Sequence, residues 1–310
     1  MPVTGDFDRF FLHLPPFDRE EDFDSFWKGS IAELKKIPIE PSFTPLNSAR
    51  SPFNRFQVTF RGMIRSAVTG CLLVPAGSRK ARAVIIIHDY NRPDPYAGFP
   101  LDETTAYFFL RLRGHGESNG TETEKSPGYM VDSITDINGY YMRGVYLDAY
   151  RAIDVLRLNE RLDCSAMGLM GKGLGGAAAV FAAANSSRPT ALVLDTPSFA
   201  YLGESQNVST SDATAEINEY LSLQRTKKKL IKKNLSYFDA VNFADRVTGP
   251  ALFTVGFKDT ISPPQCVFAL FNHLKCDKTI EVYPDDGNDA GGAAQFEKSV
   301  QWLVESLRSL

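Results

Sequence analysis

Residues 166–176 read Ala-Met-Gly-Leu-Met-Gly-Lys-Gly-Leu-Gly-Gly. The apolar start, 166–170, reads as a short buried strand, the glycines as a tight turn, and the alanine-rich run through Asn185 as a helix. Outward from this stretch the same alternation repeats. β-Branched and aromatic enrichment predicts strands at 55–60, 67–74, 83–89 and 105–112. The last two are continuous apolar runs, as expected of strands covered on both faces. Residues 143–158 give an amphipathic helix with Val145, Ala149, Ala152, Ile153 and Leu156 on one stripe. Strands at 166–170, 191–195, 251–256 and 280–283 then alternate with helical segments. The pattern predicts an α/β fold, a doubly wound and mostly parallel sheet of about eight strands with helices on both faces.

Phe23, Phe26, Trp27, Ile31 and Leu34 recur at helical spacing within 19–36, so this segment is expected to lay one face on the sheet domain. No Pro/Ser/Gly linker, low-complexity tract or repeat interrupts the 310 residues. The expectation is one domain over 1–310, with 1–50 as an N-terminal extension packed on it. In doubly wound sheets ligands bind beyond the C-terminal ends of the strands. Segments 88–91, 113–116, 171–176, 195–198, 258–264 and 285–289 are therefore expected to converge on one edge.

The central strand–turn–helix has the physical requirements of a nucleophile elbow, G-x-S-x-G, at which small neighbours let strand and helix approach closely. Gly171, Gly175 and Gly176 meet the steric demand, and Gly173 stands where the serine belongs. No covalent nucleophile then projects from the turn.

A net charge of −3 argues against a general nucleic-acid binder. The one basic run, 225–233, is placed in a helix beginning near Ser211 and reads as a solvated face. Cys71, Cys164, Cys266 and Cys276 lack metal-ligand spacing and read as reduced, mostly packed thiols. No metal or cofactor is expected. The opening residues lack a secretory pattern and no stretch is long enough to cross a bilayer, so a cytoplasmic, membrane-free protein is expected.

Several local patterns agree in order and spacing. They are D-F-D-S-F-W at 22–27, H-D-Y-N at 88–91, R-G-H-G at 113–116 and Y-Y-M-R-G-V-Y-L-D-A-Y-R-A at 140–152. Further on come Y-F-D-A-V-N-F-A-D-R at 237–246, G-F-K-D-T-I-S-P-P at 256–264 and V-Y-P-D-D-G-N-D at 282–289. Over nearly its whole length the chain resembles the cephalosporin C deacetylase and acetyl xylan esterase family, carbohydrate esterase family seven of the α/β-hydrolases. The resemblance implies serine-esterase chemistry on acetylated xylo-oligosaccharides or cephalosporin C, and a homo-oligomer, commonly a ring-shaped hexamer. The family's triad aspartate is present as Asp259. Its serine position is Gly173, and its histidine position is Asn288, followed by Asp289 in place of glutamate. The resemblance also assigns the oxyanion-hole donors to the backbone N–H groups of Tyr90 and Leu174.

The histidine of such a triad takes the nucleophile's proton and later protonates the leaving group, which asparagine cannot do. Losing serine or histidine alone costs about a million-fold in turnover in a well-studied serine protease. The chain is accordingly expected to be a catalytically impaired family member, a pseudoenzyme that binds a small ester, sugar or anion or serves as a non-catalytic subunit. A small-molecule ligand or acetylated oligosaccharide is the expected partner. Among the four histidines, His13, His88, His115 and His273, only His88 and His115 stand near the elbow, and with Lys172 they are candidates to line a ligand pocket. A weak or unconventional carbohydrate O-deacetylase is the alternative reading. Asp259 also has a structural role available, a turn with Ser262 and Pro263 that caps the next helix. Gly171, Gly173 and Gly176 spell G-x-G-x-x-G as well, with Asp195 ending the next strand, the layout of a dinucleotide-binding fingerprint. That reading is disfavoured because the match stands alone and its flanks fit the esterase pattern.

Overall fold

A computed structural model describes residues 4–46, 51–63, 67–77, 80–92, 98, 101–118, 128–188 and 190–310. Parts of the N-terminal extension, 1–3 and 47–50, lie outside these. The strands are β1 Ser42–Leu46, β2 Phe53–Arg61, β3 Ala67–Pro75, β4 Ala81–Ile87, β5 Ala106–Leu110, β6 Leu162–Lys172, β7 Thr190–Asp195, β8 Ala251–Gly256 and β9 Lys278–Tyr283. The α-helices are α1 Thr4–Phe11, α2 Phe23–Lys35, α3 Tyr141–Leu156, α4 Leu174–Asn185, α5 Leu202–Val208, α6 Asp212–Leu223, α7 Lys228–Ser236, α8 Pro264–His273 and α9 Gly292–Ser309.

The strands form one sheet in the order β1-β2-β3-β5-β4-β6-β7-β8-β9. The run from β5 to β9 is parallel, while β1, β2 and β3 join antiparallel at one edge. The chain therefore moves from β4 outward to β5 and then returns to the other side of β4 with β6. That reversal opens a crevice at the carboxyl ends of β4 and β6, the place where doubly wound sheets bind ligands.

Strand burial explains why the central sequences are unbroken apolar runs. In β4, Ala83, Ile85 and Ile87 face one core and Val84 and Ile86 face the other. β6 alternates in the same way, with Met167 and Leu169 on the first face and Ala166 and Met170 on the second. On the second face lies α9, whose Phe296, Val300, Leu303, Val304 and Leu307 repeat at helical spacing. The first face carries α3 and α4 and an aromatic cluster into which α2 inserts Trp27. Its ring packs on Phe181 at 4.5 Å and on Tyr146 at 5.8 Å between centroids, and its indole N–H donates to the Tyr237 carbonyl at 3.0 Å. Phe23, Trp27 and Leu34 are buried, as the helical spacing of the segment predicts.

Two local expectations differ from the structure. β1 was not legible because its residues are mostly exposed and include Pro45, tolerated only because the strand is an edge. The basic run does not continue one helix from Ser211: α6 ends at Leu223, a 3-10 turn spans Arg225–Lys227, and α7 starts at Lys228. Among the described residues no helix is long and apolar enough to cross a membrane.

Candidate active site

The turn after β6 is built by close approach. A Cβ on Gly171 would lie 2.3 Å from the Gly175 carbonyl oxygen, and one on Gly175 would lie 2.2 Å from that of Ile87. Helix α4 can therefore begin directly against the ends of β6 and β4. Gly173 occupies the tip with φ 52° and ψ −122°, a backbone that side chains rarely adopt. Its N–H donates to the Asp195 carbonyl at 3.1 Å and its carbonyl accepts from Ser198 N at 3.0 Å, which pins the tip to the end of β7.

The space above the tip is filled. A Cβ at position 173 would meet Asp89 Oδ1 at 2.0 Å, Cγ at 2.1 Å and Oδ2 at 2.5 Å. Asp89 follows β4, and its Oδ1 accepts hydrogen bonds from Tyr90 N at 2.8 Å and Leu174 N at 2.7 Å. These are the two N–H groups to which the resemblance assigns the oxyanion hole. Burial pushes the Asp89 carboxyl up, and the two N–H groups, Lys172 and Arg92 oppose it. The two N–H groups are therefore not open to a ligand at the elbow, because the adjacent acid supplies both the volume and the acceptor.

Asn288 and Asp259 do come together. Asn288 Nδ2 donates to Asp259 Oδ2 at 2.9 Å, while Asp259 Oδ1 accepts from Ile261 N at 2.8 Å and Ser262 N at 2.9 Å. Asp259 thus holds both the turn before α8 and the Asn288 amide. Burial raises its carboxyl against the pull of those donors and of Lys172. The other amide atom, Asn288 Oδ1, is buried without a hydrogen-bond partner.

Lys172 turns inward but has nothing left to offer a ligand. Its ammonium has three donors, and they reach Asp195 Oδ2 at 3.1 Å, Thr196 Oγ1 at 3.3 Å and the Asn288 carbonyl at 2.9 Å. Asp195 Oδ1 in turn accepts from Thr254 Oγ1 at 2.9 Å. The acid of the dinucleotide fingerprint is thereby tied into the interior instead of facing a ribose.

The histidines are committed as well. A backbone N–H can only donate, so Leu112 N at 3.0 Å makes His88 Nε2 an acceptor, and Nδ1–H then donates to the Asp89 carbonyl at 2.7 Å. His115 Nε2 accepts from Asn91 N at 3.2 Å, its Nδ1 faces the Arg113 carbonyl at 3.2 Å, and burial pushes its pKa down. Both rings brace the loops after β4 and β5. Arg113 anchors the second of these loops through a buried bidentate pair with Asp148 on α3, both contacts at 2.8 Å. Neither imidazole has a free basic nitrogen in this arrangement. Three of the four thiols are poor substitute nucleophiles: Cys266 is buried, and burial pushes the Cys164, Cys266 and Cys276 thiols up.

Three residues that matter here were not singled out from sequence. Asp89 was read only as part of H-D-Y-N, although an acid directly before an oxyanion donor is itself a signal. Thr196 has φ 42°, a strained value for a β-branched residue, and links Lys172, Asn288 and the Ser262 hydroxyl. Glu216 on α6 accepts from the Tyr90 hydroxyl at 2.9 and 3.0 Å and from Met130 N at 3.1 Å, fixing the Tyr90 side chain. A separate cavity of about 470 Å³ is lined by Arg9, Phe10, His13, Tyr201, Glu204 and Gln265. Among the described residues no group of His, Cys, Asp or Glu is arranged to hold a metal ion.

A mostly parallel sheet, a glycine-lined strand–helix tip and an acid on the loop after β8 define an α/β-hydrolase fold. Residues 13–306 match the acetyl xylan esterase (AXE1) family, and the chain belongs to it. It is similar to the acetyl esterase Axe7A of Xylanibacter ruminicola, 24% identical over 323 residues that cover 95% of this chain and 69% of that protein. Among solved structures it resembles the acetyl xylan esterase from Paenibacillus sp. R4, with a TM-score of 0.86, 25% identity and 99% of each chain covered. Acetyl xylan esterase 1 from Thermoanaerobacterium sp. JW/SL YS485 shares the fold at a TM-score of 0.83, 22% identity and the same coverage.

Proposed function

We propose that this chain is a silenced member of the acetyl xylan esterase family, a ligand-binding protein that does not run the serine-esterase reaction. The observation that carries the reading is the pair of replacements at the two moving-proton positions: Gly173 has no oxygen to attack an ester, and Asn288 stands on Asp259 with an N–H donor where a basic nitrogen is required. Without a nucleophile no acyl-enzyme forms, and without a base no water is activated in its place.

The cavity between α1, α5 and α8 supports the binding half of the proposal. It combines two aromatic rings, Phe10 and Tyr201, with the polar side chains of Arg9, His13, Glu204 and Gln265, and His13 Nε2 is buried without a protein partner. Rings for the apolar face of a sugar and mixed donors and acceptors for its hydroxyls suit a short acetylated oligosaccharide.

The test is hydrolysis of p-nitrophenyl acetate and of acetylated xylo-oligosaccharides by the wild-type protein, with calorimetric titration of the same oligosaccharides. Rates at the buffer level together with saturable binding that Tyr201→Ala weakens are expected. Turnover of either ester with a normal kcat would refute the silenced reading, and absence of any binding heat would refute the ligand.

A further inference from the structure

We infer that the oxyanion hole of this scaffold is kept permanently occupied by the chain's own Asp89 carboxylate, which makes Asp89 a third determinant of inactivity beside Gly173 and Asn288. This deepens the silenced-esterase reading and rests on it.

An oxyanion hole works by aiming two or more donors at the point where negative charge develops on the acyl oxygen, about 2.7–3.1 Å away. Here Tyr90 N at 2.8 Å and Leu174 N at 2.7 Å converge on one oxygen, Asp89 Oδ1. A carboxylate oxygen at that point is the charge and geometry that the hole is built to receive. The occupant is also tethered: the Asp89 carbonyl accepts from Arg92 N at 3.2 Å and is held by His88 Nδ1 at 2.7 Å, so the backbone that directs the side chain is fixed. A substrate carbonyl has to displace an intramolecular anion whose effective concentration far exceeds its own.

The occupancy is coupled to the elbow. Any residue at 173 other than glycine puts its Cβ 2.0 Å from Asp89 Oδ1. Restoring serine and histidine alone therefore does not restore the enzyme: the serine Cβ pushes the carboxylate aside, but the tethered side chain stays beside the hole and competes with the substrate carbonyl for its two N–H groups. The carboxylate itself is a product-like ligand, and removing it leaves a vacant site for a small monocarboxylate such as acetate.

The experiment compares p-nitrophenyl acetate hydrolysis by wild type, Gly173→Ser/Asn288→His, and that pair combined with either Asp89→Gly or Asp89→Asn. The pair alone is expected to stay far below the same pair combined with Asp89→Gly. Adding Asp89→Gly is expected to raise the rate by at least about 100-fold, the worth of a single oxyanion donor. Adding Asp89→Asn is expected to leave it low, since the amide oxygen still accepts both N–H groups. A pair as active as the glycine triple variant would overturn the inference.

A second readout does not depend on rebuilding catalysis. Asp89→Gly alone should show a melting temperature that rises with sodium acetate against sodium chloride at equal ionic strength, while wild type and Asp89→Asn do not respond. No acetate response in a folded Asp89→Gly protein overturns the occupancy. Robust wild-type hydrolysis would instead sink the silenced-esterase reading, and the acetate titration would still decide whether Asp89 fills the hole.

Discussion

Gly173→Ala is the most direct test of the packing at the elbow. The alanine brings two costs. First, a left-handed backbone at φ 52° strains an L residue by about 1–2 kcal/mol. Second, its Cβ at 2.0 Å from Asp89 Oδ1 forces the carboxylate out of its two N–H bonds, each charge-assisted contact being worth about 1.5–3 kcal/mol. Together these amount to about 4–8 kcal/mol. Unfolding entropy of about 2.1 cal/mol/K per residue over 310 residues gives about 0.65 kcal/mol per degree. The expected fall in melting temperature is therefore about 6–12 °C by calorimetry or by circular dichroism at 222 nm. In an Asp89→Gly background the same alanine meets no carboxylate, so its cost should shrink to the backbone strain, about 2–3 °C. The difference between the two backgrounds is the coupling energy of a double-mutant cycle. An alanine that costs the same in both, or less than about 1 °C in wild type, would refute the claim that Asp89 fills the volume above Gly173.

Lys172→Met leaves Asp195 without its partner in a pair whose side chains are 11% and 13% exposed, and should cost about 3–5 kcal/mol, or about 5–8 °C in melting temperature. Lys172→Met/Asp195→Leu should recover most of that loss, and a double variant no better than the single would show that the pair is not what Lys172 supplies. His115 has its pKa pushed below the ordinary 6.5 by burial among His88, Tyr90 and Tyr129, which outweighs the opposing pull of the Arg113 carbonyl, so the folded state resists its protonation. The sign follows: its contribution is fully present above pH 6.5 and is lost as pH falls from 6.5 through the lower folded value. The stability gap between wild type and His115→Asn in urea should therefore narrow from pH 7.5 to 5.5, and a gap independent of pH would count against the assignment.

Much of the frame is readable from one strand of residues at a time. The runs 83–87 and 166–170 are apolar throughout because both faces of β4 and β6 are covered, and that property survives in the sequence without any tertiary knowledge. The glycines at 171 and 175 are likewise legible, since a Cβ at either would lie 2.2–2.3 Å from a backbone carbonyl oxygen and leaves no room for another residue. What escaped was decided by contacts between distant segments. Whether Lys172 faces water or the interior depends on acceptors offered by Asp195, Thr196 and the Asn288 carbonyl, which lie on two other loops. The break at Gln224 between α6 and α7 carries no proline or glycine to announce it. β1 escaped for the opposite reason, since an exposed edge strand with Pro45 has no apolar periodicity to read.

Positions 89 and 173 are coupled through one volume. Asp89 in its present rotamer is incompatible with any side chain at 173, because the Cβ common to every residue but glycine falls within 2.1 Å of both Oδ1 and Cγ. An elbow that carries a serine has no room for the seated carboxylate, so the bare glycine at 173 is what permits the occupancy. Once the carboxylate is seated on Tyr90 N and Leu174 N, two buried backbone donors, one of them at the start of α4, are satisfied. Asp89 then contributes to stability at a position where an esterase that uses these donors must leave them available to substrate. A serine introduced at 173 is destabilising for the same reason, so packing against Asp89 opposes any side chain at the elbow.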